Sequence, residues 1–433
     1  MNKPLLTRRA VLALAASLLL AGPATADDWP RFRGENGQGI ATGPAPPLTW
    51  SDSENLAWKL DLPGAGASSP IVLGERVFVT CYSGYGVPGE EGSMDALVRH
   101  LVCADRATGK ELWRQSVPAD GAEDSYEGFI TEHGYASNTP VADESGVYVQ
   151  HGKSGVYAYS LGGEPMWHVA VGKQSGPEGW GTAASLQLYK DSLIVNAADE
   201  GRAILALDPA NGEERWRFED PALEKAYNTP VIATTDAGEE ELVVVCVGKT
   251  LGIDPDKGEQ KWSVANEFSN NISPMAIAVE DKLFVTGGYR GSGMMLRPGG
   301  HGDASDTHTV WRTRELSYVA TPVLLPGGRL FWVDTKGMLV VIDAETGERL
   351  VRDRLDLGGG HPVYASPVLA GDRIYVASRH DGVLVFNTAE EPELIAQNSF
   401  ESDDSQVNAT VAIADGQIFL RSDAALYCVG DRN

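Results

Sequence analysis

Short apolar runs separated by polar turns fill the chain from residue 70 to its end, and the spacing that marks an amphipathic helix is missing. Runs such as Val77-Phe78-Val79, Val147-Tyr148-Val149, Leu283-Phe284-Val285 and Ile374-Tyr375-Val376 read as strands. Each sits inside a larger unit whose landmark is a Ser or Thr just before an apolar strand. With a following Pro it occurs at Ser69, Thr139, Thr229, Ser273, Thr321 and Ser366, and without one at Ser185 and Thr410. The residues after the hydroxyl are spaced by 70, 46, 44, 44, 48, 45 and 44, so only the first interval departs, and it carries two insertions. Every unit then reads strand, tight turn, strand, strand ending near Asp, Gly-containing turn, strand. Four strands of the usual five or six residues fit about 45 residues, which is the blade of a β-propeller. The prediction is an all-β, eight-bladed propeller of four-stranded antiparallel blades, forming one domain over residues 27–433.

The two ends of the chain explain each other. The eighth copy stops after its third strand, Leu426-Tyr427-Cys428-Val429, while an orphan strand, Asn55-Leu56-Ala57-Trp58-Lys59-Leu60, precedes the first landmark. The N-terminal strand is therefore expected to complete the last blade and close the ring, which removes an exposed sheet edge. Four cysteines are too few for a disulfide scaffold. Cys81 and Cys103 fall on neighbouring strands of one blade, so a bridge between them is expected in an oxidising compartment. Cys246 and Cys428 read as small buried apolar residues.

The turn between third and fourth strands is the most specific feature. Ala104-Asp105-Arg106-Ala107-Thr108-Gly109-Lys110-Glu111-Leu112-Trp113 recurs as Ala206 to Trp216 and Gly252 to Trp262, and without Trp as Ile342 to Leu350. Asp accepts hydrogen bonds from the turn amides, and Gly takes the left-handed position. The outer-strand tryptophans, Trp58, Trp113, Trp167, Trp216, Trp262 and Trp311, are expected to pack on the neighbouring blade, with smaller apolar residues in that place in blades 6 and 7. This repeated turn resembles the tryptophan-docking motif of the pyrroloquinoline quinone (PQQ)-like repeat family, which includes quinoprotein alcohol dehydrogenases and the outer-membrane assembly factor BamB. The opening Asp28-Trp29-Pro30-Arg31-Phe32-Arg33-Gly34-Glu35-Asn36-Gly37 also resembles the start of many secreted members. So does Arg297-Pro298-Gly299-Gly300-His301-Gly302-Asp303, leading to His308 and Trp311. The resemblance runs from Asp28 to the end of the chain. It implies the fold; the docking motif itself binds no quinone.

The first 26 residues read as an export signal. Lys3, Arg8 and Arg9 precede the apolar run Ala10 to Ala21, which is too short to span a bilayer, and Ala24-Thr25-Ala26 is an A-x-A cleavage site. Thr7-Arg8-Arg9-Ala10-Val11-Leu12 resembles the twin-arginine signal, with Val11 where that signal prefers Phe; an ordinary secretory signal is the alternative. Cleavage would leave 32 basic against 60 acidic residues, a charge that repels nucleic acid and anionic membranes. The expected setting is the periplasm or the outside of the cell, with no transmembrane span.

Candidate chemistry is sparse. The turns between second and third strands carry Lys153, Arg202, Lys249, Arg290, Lys336, Arg379 and Arg421. The approaches to the first strands carry Tyr135, Asn138, Trp180, Tyr227, Asn228, Asn271, Tyr318, Tyr364 and Asn408. Those turns and approaches share one face of a propeller, so a cationic, aromatic and amide-rich funnel is expected there for an anionic ligand, a glycan or a peptide; ordinary solvated turns are the alternative. His301, Asp303, Asp306 and His308 form a Gly-rich cluster with metal-binding residue types but no known ligand spacing, and Tyr126, Glu127, His133 and Tyr135 stand in the insertion between blades 1 and 2. No metal site is assigned. The family resemblance implies PQQ with Ca²⁺ as the cofactor of an enzymatic member. Such a site needs cations or Ca²⁺ for three carboxylates and a carboxylate base. No residue set for that site, no adjacent cysteines and no C-x-x-C-H haem motif stand out. The leading expectation is a non-catalytic binding or interaction scaffold, with a periplasmic or envelope protein, a glycan or an anionic ligand as partner. A PQQ-dependent alcohol or sugar dehydrogenase is the alternative.

Overall fold

The computed structural model describes residues 27–358 and 363–431; the export signal at 1–26 lies outside them. Eight sheets form the ring, each built on four strands running from the axis outward, and two of them carry a fifth, added strand. Blade 1 shows the pattern: Ile71–Leu73, Arg76–Ser83, Val98–Asp105 and Glu111–Pro118 pair antiparallel in order. Inner strands are short, and the middle strands are buried on both faces because each blade packs between two others. That double burial explains why those strands read as continuous apolar runs rather than alternating ones.

Ring closure follows the sequence expectation. Leu56–Asp61 pairs antiparallel with Ala425–Val429 and supplies the outer strand of blade 8. A bulge interrupts the pairing of third and outer strands in all eight blades, for example between Cys103 and Ala104, and it sits beside the docking position. The bulge turns that side chain toward the next blade. Trp58 donates its indole N–H to the Arg106 carbonyl at 2.7 Å and lies on Gly109, where a Cβ would meet the ring at 2.5 Å. Trp113, Trp167 and Trp216 repeat this on Leu161, Pro209 and Pro255. Trp311 lies against Gly347 of blade 6, and Val351 and Ala396 take the position in blades 6 and 7.

Two expectations fail. Trp262 does not dock on blade 5. Its indole N–H donates to Glu241 Oε2 at 2.6 Å within blade 4, over Gly252, where a Cβ would come within 2.0 Å of the ring. The cause is the 297–308 segment, which replaces the docking turn of blade 5 and lays Gly302–Asp303 parallel to the outer strand of blade 4. Cys81 and Cys103 are not bridged. Cys81 faces His100 and Cys103 faces Phe78, a register that puts the two thiols on opposite faces of one sheet. All four cysteines are buried and free.

Two segments outside the repeat cross the axis. An N-terminal arm, residues 27–41, pairs Trp29 with Val72 of blade 1 and its Pro30 carbonyl with the Ala142 amide of blade 2. It then runs over to blade 7, where Ile40–Ala41 lies parallel to Val368–Ala370. A strap, residues 119–138, joins blades 1 and 2 across the other mouth and contains the 3-10 turn Gly128–Glu132.

Candidate functional site

The landmark hydroxyls meet at the axis. Thr139 Oγ1 accepts from the Ser69 amide at 3.0 Å, Ser185 Oγ from Thr139 at 3.2 Å and Thr229 Oγ1 from Ser185 at 2.9 Å. The same stitching joins Thr321 to Ser366 and Ser366 to Thr410, both at 2.9 Å, while Thr321 Oγ1 receives the Met275 amide. A hydroxyl that accepts from the preceding blade keeps its own proton to donate. The sequence landmark is thus both a blade-to-blade staple and the wall of a chamber, and all eight hydroxyls line it.

The chamber encloses about 160 Å³. Phe32 of the arm closes one end. Behind it stands Arg33, wholly buried, whose guanidinium donates to the carbonyls of Gly37, Gln38, Thr321, Pro322 and Pro367. At the other end Phe129 of the strap packs against Trp180 (ring centroids 5.1 Å apart) and Tyr364 (5.9 Å). Tyr227, Asn271, Asn408, Glu132 and His133 also line it. The His133 ring bonds Ser137 at 2.6 Å, and burial pushes its pKa down to about 4, so it is neutral at neutral pH.

Of the expected aromatic residues Trp180, Tyr227 and Tyr364 line the chamber and Tyr135 and Tyr318 do not, and none of the turn cations lines it. Arg379 clamps the strap: its guanidinium pairs with the Glu132 carboxylate and carbonyl, donates to Asn408 at 2.8 Å and lies over the Tyr364 ring. Lys153 is buried against Asp124 of the strap (2.9 Å) and Ser175 (2.6 Å). Lys249 pairs with Asp220 and Arg202 with Glu224. Arg421 is fully buried near Asp423 and Cys81. Arg290 lies over Tyr289, and Lys336 is exposed, both away from the chamber lining. Tyr135 packs on Tyr82 and Tyr85 and donates to the Asp124 carbonyl, holding the strap rather than lining the chamber. The Asn228 amide is spent on Val245 and Ile272, Asn138 on Ala184, and Tyr318 bonds Asn271. Acidic partners are the reason. Asp124 and Glu132 of the strap neutralise Lys153 and Arg379, and Asp220 and Glu224 neutralise Lys249 and Arg202.

The sequence reading missed Phe32, Phe129 and Glu132 as site residues. A usable signal was present, because the insertion between blades 1 and 2 carries Asp120, Glu123, Asp124 and Glu132, a set of acids matching nearby cations. In the Gly-rich segment, Asp303 is turned onto Ser305 and His308 onto Thr307. Among the described residues, no group of three or more His, Cys, Asp or Glu has metal-holding geometry, and no helix is long and apolar enough to cross a membrane.

The profile of the family described as "Outer membrane protein assembly factor BamB" matches residues 99–350 and 302–394. No curated protein matches the sequence. Among solved structures, BamB from Moraxella catarrhalis aligns with a TM-score of 0.58 at 13% identity, over 86% of this chain and 99% of that one. The computationally designed Ika8 protein gives 0.55 at 12%, over 86% and 98%. A europium-containing methanol dehydrogenase gives 0.49 at 14%, over 83% and 90%.

Proposed function

The chain belongs to the BamB family of PQQ-like repeat propellers, and on that premise we propose that it is a non-catalytic binding scaffold of the periplasm or envelope whose chamber takes one neutral, oxygen-rich ring, such as a terminal sugar unit of a glycan. The fold serves both binding scaffolds and quinoprotein dehydrogenases, so the choice rests on the chamber. The observation that carries it is the pairing of a ring of hydroxyl donors with aromatic faces in about 160 Å³. An apolar cavity of roughly 150 Å³ accommodates benzene, so one six-membered ring is the natural occupant. Hydroxyls satisfy its oxygens, while Trp180 and Phe129 cover its apolar face.

PQQ with Ca²⁺ does not fit these residues. Three fused rings exceed about 160 Å³, and three carboxylates meet no Lys or Arg in the chamber's lining. Glu132 is the one carboxylate there, and Arg379 and Tyr364 already hold it. The test is calorimetry on the purified protein with neutral mono- and oligosaccharides, beside a dye-linked oxidation assay with PQQ, Ca²⁺ and alcohols or sugars. The expected result is saccharide binding that Trp180→Ala weakens, with no dye reduction. Substrate-dependent dye reduction overturns the proposal and promotes the dehydrogenase; binding confined to polyanions overturns the neutral ring and makes the ligand an anion.

A further inference from the structure

The arm begins at a site whose chemistry suits a free amino terminus. The Asp27 backbone nitrogen donates to Asp415 Oδ1 at 2.8 Å. The other oxygen of that carboxylate, Oδ2, receives Arg106 at 3.0 Å. Arg106 also reaches the carbonyls of Asp27 and Gly74, and Asp28 takes the Gly74 amide at 2.8 Å. Asp415 takes φ +47 in the two-residue Asp415-Gly416 hairpin turn, a left-handed position that Asp fills readily. The residue before Asp27 closes the A-x-A motif.

We propose that removal of the leader after Ala26 creates an α-ammonium on Asp27 that pairs with Asp415 and locks the arm across the channel. The inference rests on the export reading of residues 1–26. The step is hydrolysis by a leader-cleaving protease: water adds across the Ala26–Asp27 bond, leaving a carboxylate on the leader and an ammonium on the arm. In the uncleaved chain the same nitrogen is a neutral amide donating to a carboxylate; cleavage adds a positive charge to the donor and turns that bond into an ion pair, beside the Arg106 guanidinium that shares Asp415. The lock lies two residues from Trp29 and five from Phe32, so it sets how firmly the arm seals the chamber. Processing would thus finish the propeller only once the chain has left its leader.

The experiment compares the folded chain starting at Asp27 with one that keeps Ala24-Thr25-Ala26, each with and without Asp415→Asn. Asn tolerates the left-handed turn, so the variant keeps its fold. Hydrogen exchange at the Trp29 and Val72 amides should be a few-fold slower in the form starting at Asp27, as a partly exposed ion pair predicts. Asp415→Asn should abolish that difference. The advantage must also fade as pH rises past the amine's pKa, because a base whose pKa is raised by a partner stabilises only below it. Equal exchange in both forms, or a difference indifferent to pH and to Asp415→Asn, overturns the lock. Mass spectrometry of the exported protein separates the premise: a start elsewhere than Asp27 removes the leader reading, and the proposal with it.

Discussion

The two mouths of the channel are closed by different physics. The arm seals one with a guanidinium that is wholly buried and bonded only to carbonyls, three of them on blades 6 and 7. The strap covers the other with an ion pair, Arg379 and Glu132, in which the carboxylate stays partly exposed. A buried network of this kind breaks only at the cost of stranding several acceptors, whereas a partly solvated pair separates into water at little cost. The arm is therefore a plug; in the strap, Glu123 and Asp124 stay held by buried pairs to Arg99 and Lys153, and the end around Phe129 and Glu132 is the part that can open.

The largest expected effect is at the plug. Arg33→Met keeps the volume but leaves the Thr321, Pro322 and Pro367 carbonyls unsatisfied. It should destabilise the protein by at least about 3 kcal/mol, read as a shift of the urea midpoint. A loss under about 1 kcal/mol would make the arm as dispensable as the strap and erase the contrast.

Beneath the strap lies a pair of deeply buried acids. These are Asp199 and Glu200, facing Glu123, Asp124, Lys153 and Gln150. Burial, with Asp199 beside it, pushes Glu200 up to about 8, and burial followed by Asp124 pushes Asp199 up to about 6. An acid whose pKa is raised on folding binds its proton more readily in the folded state. Its penalty is therefore full above about pH 8 and relaxes as pH falls toward the ordinary carboxylate range. Glu200→Gln should stabilise the protein by about 1 kcal/mol or more above pH 8, and the gain should vanish near pH 4. Thermal melts across that range check it. A gain independent of pH would assign the effect to packing instead.

How much of this was legible beforehand differs between ring and mouths. Eight hydroxyl landmarks, the Asp-Gly turns and the orphan strand around Trp58 state the ring outright, because each blade solves the same packing problem in the same residues. Trp262 shows the limit. Gly252 stands where Ala104 and Ala206 occur in sister turns, and that lost methyl is the room into which the indole folds back. The exception becomes readable only once the 297–308 segment is known to displace a docking turn. The mouths were opaque for another reason. Arm and strap are unique segments, and their partners lie far along the chain, 247 residues for Arg379 and Glu132 and 334 for Arg33 and the Pro367 carbonyl. No local period encodes such pairs, so the turn cations looked free when the strap had already claimed the two nearest the chamber.

Opening the strap alone should be nearly silent in stability and plain in access. Glu132→Gln removes the charge but keeps the size, the carbonyl held by Arg379 and Asn408, and the packing of Phe129. The loss of stability should stay below about 1 kcal/mol. Saccharide association, followed by stopped-flow tryptophan fluorescence, should become several-fold faster, since the variant populates the open mouth more often. Unchanged association with a large loss of stability would make the strap a second plug.

The smallest effect is expected at Lys336, and it probes the same contrast from outside. Of the turn cations it is exposed, and it lies away from the chamber lining. If the funnel attracted ligand by charge, Lys336→Glu would weaken binding and salt would weaken it further, because exposed charges are screened within about 10 Å at 0.1 M salt. The closed chamber predicts otherwise. A neutral ring feels no net pull from a distant ammonium, and a surface substitution of this kind changes stability by no more than about 0.5 kcal/mol. Saccharide affinity should therefore be the same for Lys336→Glu and the parent, and flat from about 0.05 to 0.5 M salt, a range that changes the screening length several-fold. Affinity that fell with both the substitution and the salt would return the cationic funnel to the site and make the ligand an anion.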